Sequence, residues 1–273
     1  MVTVDKDNRY YGRSATGNTP LTEGEVGRLY ERRQRWEVDH AAMLAEAIGL
    51  APIPPRNGFA YLHLVARPVV PDEDLFDKAR GDQQAMQFFG GLIAAASSAE
   101  VYSTLFSPDL HVPYNLQRRA DGWATSGGLG VEWEEREDPS NVLDIEIDLD
   151  GSGRLFCGRA ADSINGERFV IFEVIVAELT TKFLSVLGGL YAASDYFGPV
   201  DVGLAVTGLK GGISYALSQR IGIQPTPFDK EQYRRTERFS AATLVNDPRG
   251  AARRLVLPLT RAITRESYDP FSD

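Results

Sequence analysis

The chain has 273 residues, 43% of them hydrophobic and 25% charged, which is enough for a full buried core and excludes wholesale disorder. Its formal net charge of −9 and pI near 5.0 exclude a uniformly basic nucleic-acid binder. The excess acid is uneven: residues 1–56 hold eight basic and eight acidic side chains, and the remainder holds 21 and 30. The single cysteine, Cys157, has no internal disulfide partner and fits a buried structural thiol in a reducing cytoplasm. Met1 is followed by Val-Thr-Val-Asp-Lys-Asp, which lacks the basic and apolar blocks of a signal peptide. No apolar run approaches the roughly 18 residues of a membrane span. The expected location is therefore cytoplasmic, with no membrane partner.

In chain order, Arg9-Tyr10-Tyr11-Gly12-Arg13 reads as the end of a strand, followed by a polar loop from Ser14 to Thr19. Thr22 then reads as an N-cap, with Glu25 three residues on completing a capping box and Leu21 and Val26 placed as a hydrophobic staple. Val26, Leu29, Tyr30, Trp36, His40, Met43, Leu44, Ala47 and Ile48 keep helical spacing as far as Gly49. The spacing predicts His40 as a packed side chain rather than a ligand. Arg28, Arg32, Arg33 and Arg35 read as a solvated face balanced by Glu31 and Glu37.

Tyr10-Tyr11-x-Arg13, followed by Asn18-x-Pro20-Leu21-Thr22-x-x-Glu25-Val26-x-x-Leu29, resembles the closing segment of the Schlafen-type AlbA domain of bacterial proteins. That segment consists of an aromatic-arginine strand, a small polar loop and a capped helix. The resemblance covers Val4 to Trp36. It implies a role near nucleic acid, in regulation or defence, with Arg9, Tyr11, Arg13, Arg28 and Arg32 as the contacting residues. It also implies that the bulk of such a domain precedes residue 1, so that the chain is the C-terminal part of a longer protein or a truncated product of one. The acidic positions used by nuclease members have no counterpart here, and no catalytic residue carries over.

Ala51-Pro52-Ile53-Pro54-Pro55-Arg56-Asn57-Gly58 is the clearest boundary, since its prolines exclude helix and favour an extended connector. The expected division is a remnant strand and helix over 1–50, a proline-rich linker over 51–58, an α+β domain over 59–265 and an acidic tail over 266–273. A strand from Phe59 to Val70 ends at Pro71; Asp72 caps a helix through Arg80, and a second helical segment runs from Asp82 to Ser98. Tyr102 to Pro113 reads as a loop. Leu116–Arg119, Trp123-Ala124 and Leu129–Glu135 then lead into the central stretch as short strands, giving an antiparallel meander of about five strands.

The central stretch is the strongest local signal. Leu143, Ile145, Ile147 and Leu149 alternate with Asp144, Glu146, Asp148 and Asp150, the period of a half-buried strand. Asp150-Gly151-Ser152-Gly153 turns the chain, Arg154–Arg159 returns, and Arg168–Phe172 gives a third strand after Asn165-Gly166. From Glu173 to Tyr191 the period becomes helical, and this helix is the expected cover for the sheet. Val200, Val202, Leu204 and Val206 read as another strand, Arg234–Val245 as a further one, and Asp247-Pro248 as the start of a last helix.

Two constellations could carry chemistry. Thr207-Gly-Leu-Lys-Gly-Gly follows a strand, so its amides and Lys210, with Gly211 and Gly212, could hold the phosphate of ATP or another ligand, although the spacing is not that of a P-loop. Asp144, Glu146, Asp148 and Asp150 read as a solvated strand face, because hard cations need a tighter oxygen cluster than one strand provides. His40, His63 and His111 have no metal-ligand spacing, no cysteine pair exists, and no metal or cofactor is expected. The expectation is thus an α+β protein, a mainly antiparallel sheet covered by helices and preceded by a short strand-loop-helix segment. Its expected role is a non-catalytic C-terminal module of a Schlafen-like AlbA-type protein, supporting nucleic-acid binding, regulation or self-association as a homo-oligomer. The alternatives are a nucleotide- or phosphate-binding enzyme domain using residues 207–212, and a protein-interaction module.

Overall fold

The computed structural model describes residues 3–4, 10–14, 17–20, 22, 26–27, 39–70, 72–98, 116–127, 138–164, 168–222, 224–265 and 268–272. The chain divides into two compact units, Met1–Met43 and Leu44–Asp273. In the first, β1 (Thr3–Val4), β2 (Tyr10–Ser14) and β3 (Gly17–Pro20) form a three-stranded antiparallel sheet. The loop expected over Ser14–Thr19 is therefore corrected: Gly17–Pro20 pairs back on β2, with Arg13 opposite Asn18. Thr22 accepts the Val26 amide through its backbone oxygen at 3.0 Å, while Glu25 and most of the predicted helix up to residue 38 lie outside the described residues. His40 is buried.

The second unit begins within α1 (residues 39–49) and is built on one sheet. Its strands are β4 (Phe59–Pro68), β5 (Leu116–Arg118), β6 (Gly122–Gly127), β7 (Leu143–Asp148), β8 (Gly153–Ile164), β9 (Arg168–Ile171), β10 (Pro199–Thr207), β11 (Ile213–Ser214) and β12 (Gln232–Ser240). The order is β12-β10-β4-β8-β7-β6-β5, with β9 on the far half of β8 and β11 beside β9. All pairings are antiparallel except β9–β11. The fold class is α+β, and β5 to β9 form the predicted meander. The segment Leu129–Glu135 lies outside the described residues, as does the predicted loop Tyr102–Pro113.

One face of the sheet carries Leu62, Leu64, Ile145, Ile147, Leu155, Val202 and Leu204, all buried. Over it lie α2 (Leu75–Arg80), α3 (Ala85–Ser98), α4 (Glu173–Ala193), α6 (Ala241–Asn246) and α7 (Pro248–Thr264), while the short α5 (Tyr215–Ser218) follows β11. α4 is the hub, packed against α2, α3, α6, α7 and β8. Its Phe183, Leu184, Leu187 and Tyr191 are wholly buried, each contributing about 1.5–3 kcal/mol through the apolar surface removed from water. A methyl group at Gly188 would come within 2.4 Å of the Leu244 carbonyl oxygen, so this glycine sets how closely α4 and α6 approach. Contrary to the sequence expectation, α4 is long and apolar enough to cross a membrane; here it is the core helix of the fold. Cys157 is fully buried on β8, and burial pushes its thiol up to about 12.

Two helix starts differ from the sequence expectation. Ser240 ends β12 and caps α6 by accepting the Thr243 amide, so the strand predicted over Arg234–Val245 stops five residues early. Asp72 makes a turn with the Asp74 amide and pairs with Lys78, and the helix itself starts only at Leu75. Asp247 and Pro248 start α7 as read, with Asp247 accepting the Gly250 amide at 2.8 Å.

The opposite face of the sheet is also covered. Tyr61, His63 and Val65 point away from the helix layer, yet all three are buried. The end of α1 and residues 51–58 cover this side: Ile53 is 2% exposed and clusters with Tyr61, Val142 and Phe156. The Tyr61 hydroxyl donates to the Pro54 carbonyl at 3.1 Å, and Phe156 packs edge-on against both Tyr61 and His63.

Candidate functional site

A cavity of about 700 Å³ opens on this second face. It is lined by β4, by Ile48 and the 51–58 segment, and by the loop after β10 with the start of β12. The volume lies in the range that holds a small metabolite. Apolar surface comes from Ile48, Phe59 and Phe169, and cationic side chains from Arg56 and Lys210. Among the described residues on its wall Glu231 is the single carboxylate.

His63 is part of this lining. Its Nε2 lies 3.3 Å from the Thr207 hydroxyl, and its Nδ1 lies beside the Ala47 backbone without a well-formed hydrogen bond. Burial, with the positive charge of Arg234 as a smaller cause, lowers this imidazole to about 4. At neutral pH it is uncharged, so it offers a ligand hydrogen bonding rather than a positive charge.

The loop 208–212 has a shape that only glycine tolerates at two points. Gly208 has φ +76° and Gly211 φ +85°, and a side chain at Gly208 would meet the Phe59 carbonyl oxygen at 2.5 Å. The amides of this loop are spent internally: Leu209 donates to Glu231, Gly211 to Phe228 and Gly212 to Leu209. Those three amides are therefore taken within the fold, and the turn offers the cavity its shape and the Lys210 side chain. Lys210 and Gly211 line the cavity, whereas Gly212 lies behind them against Ile171. Of the predicted nucleic-acid residues, Arg9, Arg28 and Arg32 lie outside the described residues, and Tyr11 and Arg13 fall within β2 of the first unit.

The acidic row of β7 is corrected. Asp144 and Glu146 are 8% and 4% exposed, not solvated. Arg119 donates to both Asp144 oxygens at 2.6 and 3.0 Å, to Glu146 at 2.7 Å and to the Ser126 hydroxyl at 3.1 Å. Arg154 adds a second bond to Glu146 at 2.7 Å, and the Ser126 hydroxyl donates to Asp144. Burial opposes the Arg119 charge, but the two carboxylates outweigh it and hold the guanidinium above its ordinary value. Asp148, at the end of the row, is pushed up to about 6 by burial and then by Glu146. This cluster borders a smaller cleft of about 470 Å³. Its carboxylates are consumed by arginines, and among the described residues no group of side chains could hold a metal ion.

Sequence reasoning missed His63, Arg56 and Arg119. A signal for the first existed: Ala60 to Ala66 is apolar at nearly every position, which is the pattern of a strand covered on both faces, and a histidine inside such a strand is expected to be buried. A scan against family models, a search of curated proteins and a search of solved structures each return no match for this chain.

Proposed function

We propose that residues 44–273 form a non-catalytic binding module whose ligand is a small molecule with an anionic group, such as a phosphate ester. The observation that supports this most directly is the presence of both Arg56 and Lys210 in the lining of a cavity that also has apolar surface. Two cations and one carboxylate leave the cavity cationic within a chain of net charge −9, so an anion is drawn there against the overall field. A catalytic role is not favoured. His63 is neutral and its side-chain partner is the Thr207 hydroxyl, and among the described residues no carboxylate orients it as a general base would need. In the context implied by the N-terminal resemblance, the module would serve a Schlafen-like AlbA-type protein by regulating its action on nucleic acid.

The test is thermal. ATP or another phosphate ester at millimolar concentration should raise the melting temperature, since a ligand that binds only the folded state stabilises it by mass action. Lys210→Ala should abolish the shift. An unchanged melting temperature with every phosphate ester tried would remove this reading.

A further inference from the structure

The most anomalous group outside the cavity is Glu173, the first residue of α4. It is 2% exposed, and neither carboxylate oxygen has a hydrogen bond of good geometry. It faces the Ser214 hydroxyl and the backbone of Tyr215 and Ala216. Ser214 already accepts the Leu217 amide at 3.0 Å. These residues continue directly from the cavity loop. Ile213 and Ser214 pair with Val170 and Ile171 of β9, Gly212 packs on Ile171, and Gly211 and Lys210 reach the cavity wall. Only three residues separate Ser214 from Lys210. The seat of the loop thus rests on the corner where β9 passes into α4, and Glu173 is the polar group at that corner.

We infer that Glu173 is a proton-sensitive latch for this loop, so that the cavity holds an anionic ligand more tightly when Glu173 carries its proton. The inference rests on the reading of the cavity given above. Its direction follows from burial. In the seated loop the ionised carboxylate is stripped of water without full hydrogen bonds in return, and burial pushes the group up to about 7, against the pull of Ser214 and the nearby amides. An unseated loop would rehydrate the carboxylate and return it toward 4.5. Protonation therefore favours the seated state. The seat is strongest below about pH 4.5 and weakens as pH rises to about 7, by up to tenfold per unit. Other charged or titratable groups at this corner are Arg159, whose guanidinium lies 5.4 Å from the Phe172 ring centre, its partner Asp162, and Tyr215, whose ring packs at a tilt against Phe172. The Glu178–Lys182 pair lies further along α4. Burial also raises Asp162, so a variant at Glu173 itself is needed to assign the effect.

Hydrogen exchange in the full chain, corrected for the intrinsic pH dependence, reads the latch without any ligand. The Gly211 and Gly212 amides should be at least tenfold less protected at pH 7.5 than at pH 5, and Glu173→Gln should make protection equal at the two values. Inorganic sulfate, whose charge is constant over this range, reads the coupling to the cavity. Wild-type protein should bind it several-fold more tightly at pH 5 than at pH 7.5, and Glu173→Gln should bind it equally at both. Carbon NMR of the wild-type carboxyl gives the reciprocal measurement, because saturating sulfate must then raise its titration midpoint. Protection that does not change with pH, or a midpoint unmoved by bound sulfate, would overturn the latch. If sulfate binds at neither pH, the cavity reading and the coupling fall, and pH-dependent exchange abolished by Glu173→Gln would still establish Glu173 as the control on the loop.

Discussion

Replacing Arg119 with alanine is the sharpest probe of the buried acidic row. The change removes four hydrogen bonds, three of them to carboxylates, and leaves Asp144 with Ser126 alone. Glu146 keeps Arg154. Breaking a fully buried ion pair costs about 3–5 kcal/mol, because the remaining charge stays desolvated. The Arg119 side chain is 30% exposed, and water reaching the vacated space would hydrate part of the site. The expected loss is therefore about 2–3 kcal/mol, or roughly 5–10 °C in melting temperature for a unit of this size. Urea denaturation at pH 7 measures it. Arg119→Lys should recover less than half, since an ammonium cannot reproduce the forked contact to Asp144. A loss below about 0.5 kcal/mol for the alanine variant would show that Asp144 and Glu146 are hydrated, as a solvated strand face requires.

Two further outcomes follow from strain and from burial. Gly208→Ala places a side chain at φ +76° and against the Phe59 carbonyl; it should cost about 1–3 kcal/mol in urea denaturation, and unchanged stability would mean that the loop takes another shape. Asp148 has its folded value raised to about 6, so its contribution falls as pH rises from about 4 to 6 and stays low above that. Asp148→Asn should therefore be neutral near pH 4 and stabilising at pH 7 by about 1 kcal/mol, a figure already reduced for its partial exposure. Stabilisation that is equal at both pH values would count against a proton-linked origin.

The parts of the fold legible in the sequence were those set by near neighbours. The alternation over β7, the turn at residues 150–153, the helical period of α4 and the Asp247-Pro248 start of α7 each encode their structure within a few residues. What stayed hidden depended on distant partners. Asp144 and Glu146 alternate with apolar residues as any solvated strand would, and their burial is made tolerable by Arg119, some 25 positions earlier, with Ser126 and Arg154. Lys210 and its glycines drew attention as a phosphate loop, but the carbonyls of Phe228 and Glu231 that take up its amides could not be located from local pattern. In the sequence His63 has no second ligand at suitable spacing. Its environment comes instead from α1, Phe156 and Thr207, which the sequence scatters over some 160 residues.

The central position of β4 bears on how the chain reaches this state. Leu62 lies opposite Cys157 and Val65 opposite Gly203, so the first long strand of the sheet to be synthesised finds its partners some 95 and 138 positions later. At a synthesis rate of about 5–20 residues per second, that leaves β4 unpaired for roughly 5–20 s before β8 arrives, and longer before β10 does. During that interval Ala60-Tyr61-Leu62-His63-Leu64-Val65-Ala66 is an apolar strand without charge, glycine or proline, the kind of segment that pairs with copies of itself. The same burial on both faces that sets β4 along the cavity in the native protein thus makes this strand the main aggregation hazard of the nascent chain. Folding is expected to be slow, with a high contact order, and its yield should be sensitive to how long β4 waits.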